Sequence, residues 1–261
     1  MIVIITGASS GIGLETARYL SRFGHKVYGL ARRKVENEPF ESLECDLTCY
    51  ERVKECFEYI SKKEGRIDVL VNNAGMGISG AVEHTSAEDI KRIFDVNVLA
   101  LINASKLIIP YLRQSGGGKI INLSSVAGVI PIPFQAFYSA TKSAVIEFSY
   151  ALRLEVKPFN IQVSVVCPGD TKTGFTSARV KNQVMTDKFY GDRIKKSIEK
   201  MEKDETSGKP ASSVSKIIYK IIKKKHSPVC KTVGASYKFI MFLVKILPTR
   251  FMLFIVKKLY G

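Results

Sequence analysis

Tyr138 and Lys142 stand four residues apart in Tyr138-Ser139-Ala140-Thr141-Lys142. On a helix that spacing puts both on one face, about 6 Å apart along the axis. An ammonium beside a phenol favours the phenolate, so a group with a reference pKa of about 10 is drawn toward neutrality. Tyr138 is then a candidate to give or take a proton near pH 7. The pair alone recurs by chance as surface chemistry. Its weight comes from Ser124-Ser125, 13 residues before the tyrosine, and from the glycine-rich opening Thr6-Gly7-Ala8-Ser9-Ser10-Gly11-Ile12-Gly13.

Elements of a regular alternation must position these groups. Ile2-Val3-Ile4-Ile5 is a continuous apolar run, the pattern of a parallel strand buried on both faces, and it feeds the glycines directly. A helix follows to about Phe23-Gly24. Glycines at a strand-to-helix turn let backbone approach a pyrophosphate, while free N–H groups and the helix dipole favour its charge. A second strand over 26–31 ends in Ala31-Arg32-Arg33, where an Asp or Glu would favour NAD; two guanidiniums favour the 2′-phosphate of NADP(H). Residues 43–47 end a third strand, with Asp46 and Leu47 near the adenine. A helix over 48–63 is expected, N-capped by Thr48.

A fourth strand over 67–71 closes on Asn72-Asn73-Ala74-Gly75, and a long helical region spans 86–114, with Pro110 a late bend or end. Asn97 lies in it among Val96, Val98 and Leu99; its amide needs partners, and pattern alone makes it structural rather than catalytic. Strands over 119–123 and 161–166 flank a helix that carries Tyr138 and runs to about Pro158. A helix over 212–225 and a strand over 229–233 follow. The sum is an α/β, Rossmann-like, doubly wound parallel sheet of about seven strands, helices on both faces, in one domain over 1–234.

Composition agrees. The 261 residues are 46% hydrophobic and 25% charged, as in ordinary globular chains, which argues against disordered or fibrous classes. Five cysteines (Cys45, Cys49, Cys56, Cys167, Cys230) form no Cys-x-x-Cys pair and read as reduced thiols of a cytoplasmic protein; a strand starting at Ile2 leaves no room for a cleavable leader. Three scattered histidines make a metal site improbable. Residues 179–261 hold 20 of the 40 Lys and Arg but 6 of the 24 Asp and Glu, so this third carries +14 of the formal +16. Such asymmetry points to an anionic partner or to a merely solvated basic face.

Assembled, these residues resemble the short-chain dehydrogenase/reductase family over about residues 2–175 and again near 229–233. The resemblance rests on Thr6-Gly7-x-x-x-Gly11-Ile12-Gly13, Asp46, Asn72-Asn73-Ala74-Gly75, Asn97, Ser125, Tyr138-x-x-x-Lys142 and Pro168-Gly169-x-x-x-Thr173. It implies that Tyr138 exchanges the proton with the carbonyl oxygen and that Lys142 binds the nicotinamide ribose and stabilises the phenolate. Ser125 would hydrogen-bond the substrate oxygen, and Asn97 would position a water between Lys142 and solvent. The cofactor set it implies is Gly7, Ser9, Ser10, Gly11, Ile12, Gly13, Arg32, Arg33, Asp46, Leu47, Asn73, Ala74, Gly75, Tyr138, Lys142, Pro168, Gly169, Thr171 and Thr173.

Met76, Ile78, Ile130, Phe134, Phe137 and Phe175 suggest an apolar pocket for a lipophilic alcohol or ketone, similar to the family branch acting on steroids and retinoids. The resemblance places a mobile lid over about 170–210 and implies a homodimer or homotetramer. Residues 235–261 form two apolar pieces around Pro248, each too short to span a bilayer. With their basic residues they suit an anionic membrane interface, or packing on the domain or a second subunit. The expected function is NADP(H)-dependent oxidoreduction of a hydrophobic molecule. The alternative is a non-catalytic nucleotide-binding or membrane-surface scaffold, and no nucleic-acid motif is present.

Overall fold

The extended runs line up side by side. In the computed structural model, which describes residues 1–182 and 188–260, seven of them build one sheet. They are β1 (Ile2–Thr6), β2 (Lys26–Ala31), β3 (Glu41–Glu44), β4 (Val69–Asn72), β5 (Gly118–Leu123), β6 (Ile161–Pro168) and β7 (Cys230–Val233). The order across the sheet is β3-β2-β1-β4-β5-β6-β7, parallel throughout. The chain winds from β1 to one edge, returns to β4 and winds to the other. That reversal opens a crevice at the carboxyl ends of β1 and β4.

Alternate side chains of each strand feed opposite faces. Ile4, Leu70 and Ile120 meet α2 (Tyr50–Glu64) through Phe57 and Ile60, and α4 (Ala100–Gln114) through Ile108 and Leu112. Ile5, Val71 and Ile121 meet α1 (Gly11–Arg22) through Ala17 and Leu20, and α7 (Ser212–Lys223) through Val214 and Ile218. Lys119 on β5 is buried and donates to the carbonyls of Ile221 (3.0 Å), Ile222 (2.7 Å) and Lys224, closing the C-terminal end of α7. Cations suit that end of a helix.

The region 86–114 is one helical column with a break of register. Ser86 caps α3 (Ala87–Phe94) by accepting from the Asp89 N–H at 3.1 Å, a π turn spans Asp95–Leu99, and α4 follows with Pro110 inside it. The column is long and apolar enough to cross a membrane, but Ile93, Ile108 and Leu112 are fully buried within the domain. The helix expected from Thr48 begins at Tyr50 instead, with Cys49 at the cap position. Thr48 gives both its N–H and its hydroxyl to Asp46 Oδ1 (2.9 and 2.7 Å), a local bond that competes with capping. The third strand also stops at Glu44, leaving Cys45, Asp46 and Leu47 in the loop beyond it.

Between β6 and β7, where a lid is expected, the described residues carry short elements. Thr171–Lys172 pairs with Lys209–Pro210, Val180–Lys181 pairs with Ile78–Ser79, and a single turn of helix occupies Phe175–Ala178. A longer helix, α6 (Arg193–Thr206), follows; residues 183–187 of the expected lid lie outside the described residues. Past β7 the chain forms a hairpin of α8 (Ala235–Ile246) and α9 (Thr249–Tyr260), bent at Pro248. All five cysteines are free thiols.

Candidate active site

Tyr138 and Lys142 share the first turns of α5 (Ala136–Glu155), and Ser125 sits just past the end of β5. All three line one cleft of about 940 Å³. The Ser125 hydroxyl accepts from the Ala127 N–H at 3.1 Å and stands near enough to the Tyr138 phenol to favour its ionised form. The Lys142 ammonium lies 5.8 Å from the Tyr138 ring centroid and donates to the Leu123 carbonyl at 3.0 Å.

The electrostatics reverse the simple expectation. Burial pushes the Tyr138 phenol up to about 12, against the lowering effect of the Ser125 hydrogen bond; Glu205 and Arg179 act on it from farther away. Burial likewise draws Lys142 down to about 8. Desolvation opposes charge on both groups, and the ammonium is turned toward a carbonyl rather than the phenol. As it stands, the site holds a protonated phenol and a lysine able to lose its proton just above neutrality.

Asn97 lies in the π turn and is fully buried. Its Oδ1 accepts from the Met76 N–H at 2.8 Å, and its Nδ2 donates to the Met76 carbonyl (2.9 Å) and Thr141 Oγ1 (3.1 Å). The Thr141 hydroxyl in turn donates to the Tyr138 carbonyl at 2.8 Å. The side chain thus ties the loop after β4 to the helix of Tyr138 and Lys142. A Cβ on Gly75 would stand 3.2 Å from Asn97 Oδ1 and 3.4 Å from Lys142 Nζ.

The other end of the cleft is lined by Gly7, Ser9, Ser10, Gly11, Ile12, Arg32, Arg33, Asp46, Leu47, Asn73, Ala74, Gly75, Pro168, Gly169, Thr171 and Thr173. This is the expected dinucleotide set with one correction. Gly13 does not face the cleft: a Cβ there would stand 2.2 Å from the Gly7 carbonyl oxygen and 2.4 Å from Asn73 Nδ2. It lets α1 pack on the turn instead.

Asn73 binds that turn through its Nδ2, which donates to the carbonyls of Thr6 (2.9 Å) and Gly7 (3.2 Å). Ser10 occupies the cap position of α1 without a side-chain cap bond, and no acid lies in the first turn, so the N-terminal N–H groups are left for an anion. Hydrogen bonds from Thr48 hold Asp46 below the usual carboxylate range, with help from the charge of Arg32. These residues fit a dinucleotide: bare N–H groups would meet its pyrophosphate, and Arg32, Arg33 and Asp46 would flank its adenosine end. Among the described residues no group of three or more His, Cys, Asp or Glu could hold a metal ion.

Of the expected substrate pocket, Met76, Ile130 and Phe175 line the cleft, and the Phe175 ring lies 5.8 Å from that of Tyr138. Ile78, Phe134 and Phe137 do not. Ile78 is 2% exposed and committed to the strand pair with Val180. Phe134, at a φ of 61°, packs on Tyr190, and Phe137 is one helix position, about 100°, away from Tyr138.

Sequence reasoning missed the groups that complete this end. Glu205 is held by Arg179 and by the Thr176 hydroxyl (2.7 Å), which docks the turn carrying Phe175 onto α6. Arg179 and Glu205 are 26 residues apart, with no local signal to join them. Nor did pattern reveal that the tail hairpin lines the cleft, through Tyr237, Ile240, Leu243 and Val244 on α8, Leu247 just past its end, and Met252, Ile255, Val256, Leu259 and Tyr260 on α9. Tyr237 bonds Asp170 through its hydroxyl, and its ring fills the space beside Gly169, 2.1 Å from where a Cβ would stand.

The profile for "short chain dehydrogenase" matches residues 1–184. The chain belongs to the short-chain dehydrogenase family. It is 43% identical to 3-ketodihydrosphingosine reductase of Bacteroides thetaiotaomicron over 235 residues, 89% of this chain and 87% of that one. A short-chain dehydrogenase from Streptomyces avermitilis superposes with a TM-score of 0.83 at 26% identity, covering 94% of this chain and 92% of that one. ElxO with NADP bound superposes with a TM-score of 0.75 at 25% identity, covering 91% and 98%. This short-chain dehydrogenase is accordingly an oxidoreductase acting on CH–OH groups, with the seven-stranded sheet of its relatives.

Proposed function

We propose that this short-chain dehydrogenase uses NADPH to reduce the ketone of a long-chain lipophilic molecule, of the class to which 3-ketodihydrosphingosine belongs. The observation that carries the reading is the apolar wall that α8 and α9 add to the cleft of Tyr138. It lengthens the substrate end with aliphatic side chains, as an alkyl chain requires and a small polar ketone does not. The relation to a 3-ketodihydrosphingosine reductase supports the same class.

The bound nicotinamide supplies hydride. The chain's own residues then hold the carbonyl: Ser125 donates a hydrogen bond to its oxygen, and Tyr138 supplies the proton where negative charge develops. Lys142 would hold the ribose hydroxyls of a bound dinucleotide, and Asn97 fixes the loop and helix that frame that place. An assay of long-chain 3-keto amphiphiles, steroids, retinoids and short ketones with NADPH, followed by nicotinamide absorbance, tests the reading. The long-chain ketones should show the highest kcat/KM, and turnover favouring short ketones would overturn it.

The choice of NADPH rests on Arg32 and Arg33, exposed residues at the rim of the adenosine end. A guanidinium–phosphate contact contributes about 2–3 kcal/mol. Arg32→Asp should therefore lower the kcat/KM ratio of NADPH to NADH by roughly 50- to 100-fold. An unchanged ratio would remove Arg32 from 2′-phosphate recognition.

A further inference from the structure

The hairpin has two apolar faces, and the fold uses one. Ile240, Leu243 and Val244 of α8, Leu247 just beyond it, and Met252, Ile255 and Val256 of α9 turn toward the cleft. Phe239 (62% exposed), Phe242 (59%), Ile246 (61%), Phe251 (50%), Leu253 (46%) and Phe254 (52%) turn outward, and α8 contains no fully buried residue. A helix apolar on all sides is at rest only when every side is covered, by protein or by lipid. Patches of this kind mark a partner.

Charge identifies the partner. Residues 235–261 contain Lys238, Lys245, Arg250, Lys257 and Lys258 and no Asp or Glu, and all five cations are exposed. Apolar helices with an unopposed basic fringe match an anionic bilayer surface, where aromatic side chains enter the acyl boundary and ammonium groups remain among phosphates. A second copy of this chain would bring the same cations against themselves. Ile240, Ile255 and Leu259 are both exposed and part of the cleft wall, so the outward face runs into the substrate end without a polar break.

We propose that α8 and α9 dock this enzyme on an anionic membrane, with their outward aromatic face in the lipid and the mouth of the cleft opening at its surface. A lipid substrate then passes from bilayer to Tyr138 along the inner face of the same hairpin, without crossing water. The passage of substrate rests on the proposed lipophilic substrate; the docking does not.

The test is sedimentation of the full chain with vesicles of phosphatidylcholine, with and without phosphatidylglycerol, in the absence of substrate and cofactor. The intact protein should bind the anionic vesicles, and added salt should weaken the binding. Lys257→Gln with Lys258→Gln should lower affinity for anionic vesicles roughly 25-fold and leave the melting temperature unchanged. Phe242→Asp with Phe254→Asp, outside the cleft wall, should lower binding about 100-fold or more.

Vesicle binding indifferent to both pairs, or absent in the intact chain, would overturn the proposal. A dimer by light scattering that Phe242→Asp dissociates, with no vesicle binding, would assign the face to a second copy. Because binding is read without turnover, a membrane-bound protein inactive on long-chain ketones would refute the proposed function and leave the docking intact.

Discussion

Tyr138→Phe should lower kcat for carbonyl reduction by about 1,000-fold or more, while dinucleotide affinity changes no more than about threefold. The substitution keeps the ring, and with it the contact to Phe175 at 5.8 Å, and removes only the phenol oxygen beside Ser125. Loss of a positioned acid is worth roughly 10²–10⁴ in rate, and 1,000-fold corresponds to about 4 kcal/mol of barrier.

The pH profile carries independent information. With the phenol up at about 12, Tyr138 keeps its proton through neutrality, so reduction has its acid available. Lys142 sits at about 8, so above that pH it loses the charge that would balance developing negative charge. Reductive kcat/KM should be level below pH 8 and fall above it, whereas alcohol oxidation, which needs the phenolate, should rise with pH. Stopped-flow absorbance of the nicotinamide reads both directions; a Phe variant within tenfold of the parent would show that the proton comes from elsewhere.

Gly13→Ala should cost about 2 kcal/mol of stability, although it adds a single methyl group to a helix. That methyl would fall 2.2 Å from the Gly7 carbonyl oxygen and 2.4 Å from Asn73 Nδ2. Helix propensity favours Ala over Gly by about 1 kcal/mol, but overpacking against backbone outweighs it, because neither the turn nor α1 can give way without breaking the bonds from Asn73 to Thr6 and Gly7. Relief would displace α1 from the turn and weaken dinucleotide binding as well. Gly174→Ala is the control: a Cβ there meets nothing within 4 Å, and its φ of −69° suits any residue. Urea titrations should move the midpoint for Gly13→Ala and leave that for Gly174→Ala within about 0.5 kcal/mol of the parent.

Much of the scaffold is legible in the sequence, for a physical reason. Parallel strands buried on both faces need near-continuous apolar runs, which is why 2–5 and 69–71 announce themselves. Tyr138, Lys142 and Ser125 were legible because the spacing of one helix and the end of one strand bring them together. The misreadings arose where two local interactions compete or where distant residues meet. Thr48 had a helix to cap and chose Asp46. Gly13 belongs to the glycine motif but serves packing rather than the ligand. Phe134 and Phe137 have the composition of a pocket and the wrong direction, because a left-handed backbone turns one aside and helix phase the other. Burial, which no motif encodes, raises the phenol where the neighbouring ammonium was expected to lower it. The union of Arg179 with Glu205, and of the hairpin with the cleft, depends on segments far apart in the chain.

Tyr237 makes the hairpin and the loop after β6 a single mechanical piece. Its ring fills the space a side chain on Gly169 would need, and its hydroxyl grips Asp170, one residue before the loop reaches Thr171 and Thr173. Anything that prefers one seating of that ring also prefers one seating of the loop, and the preference works in both directions with equal free energy. A surface that settles the hairpin and a nucleotide that settles the loop would then report each other's presence: each would tighten or loosen the other by one common factor.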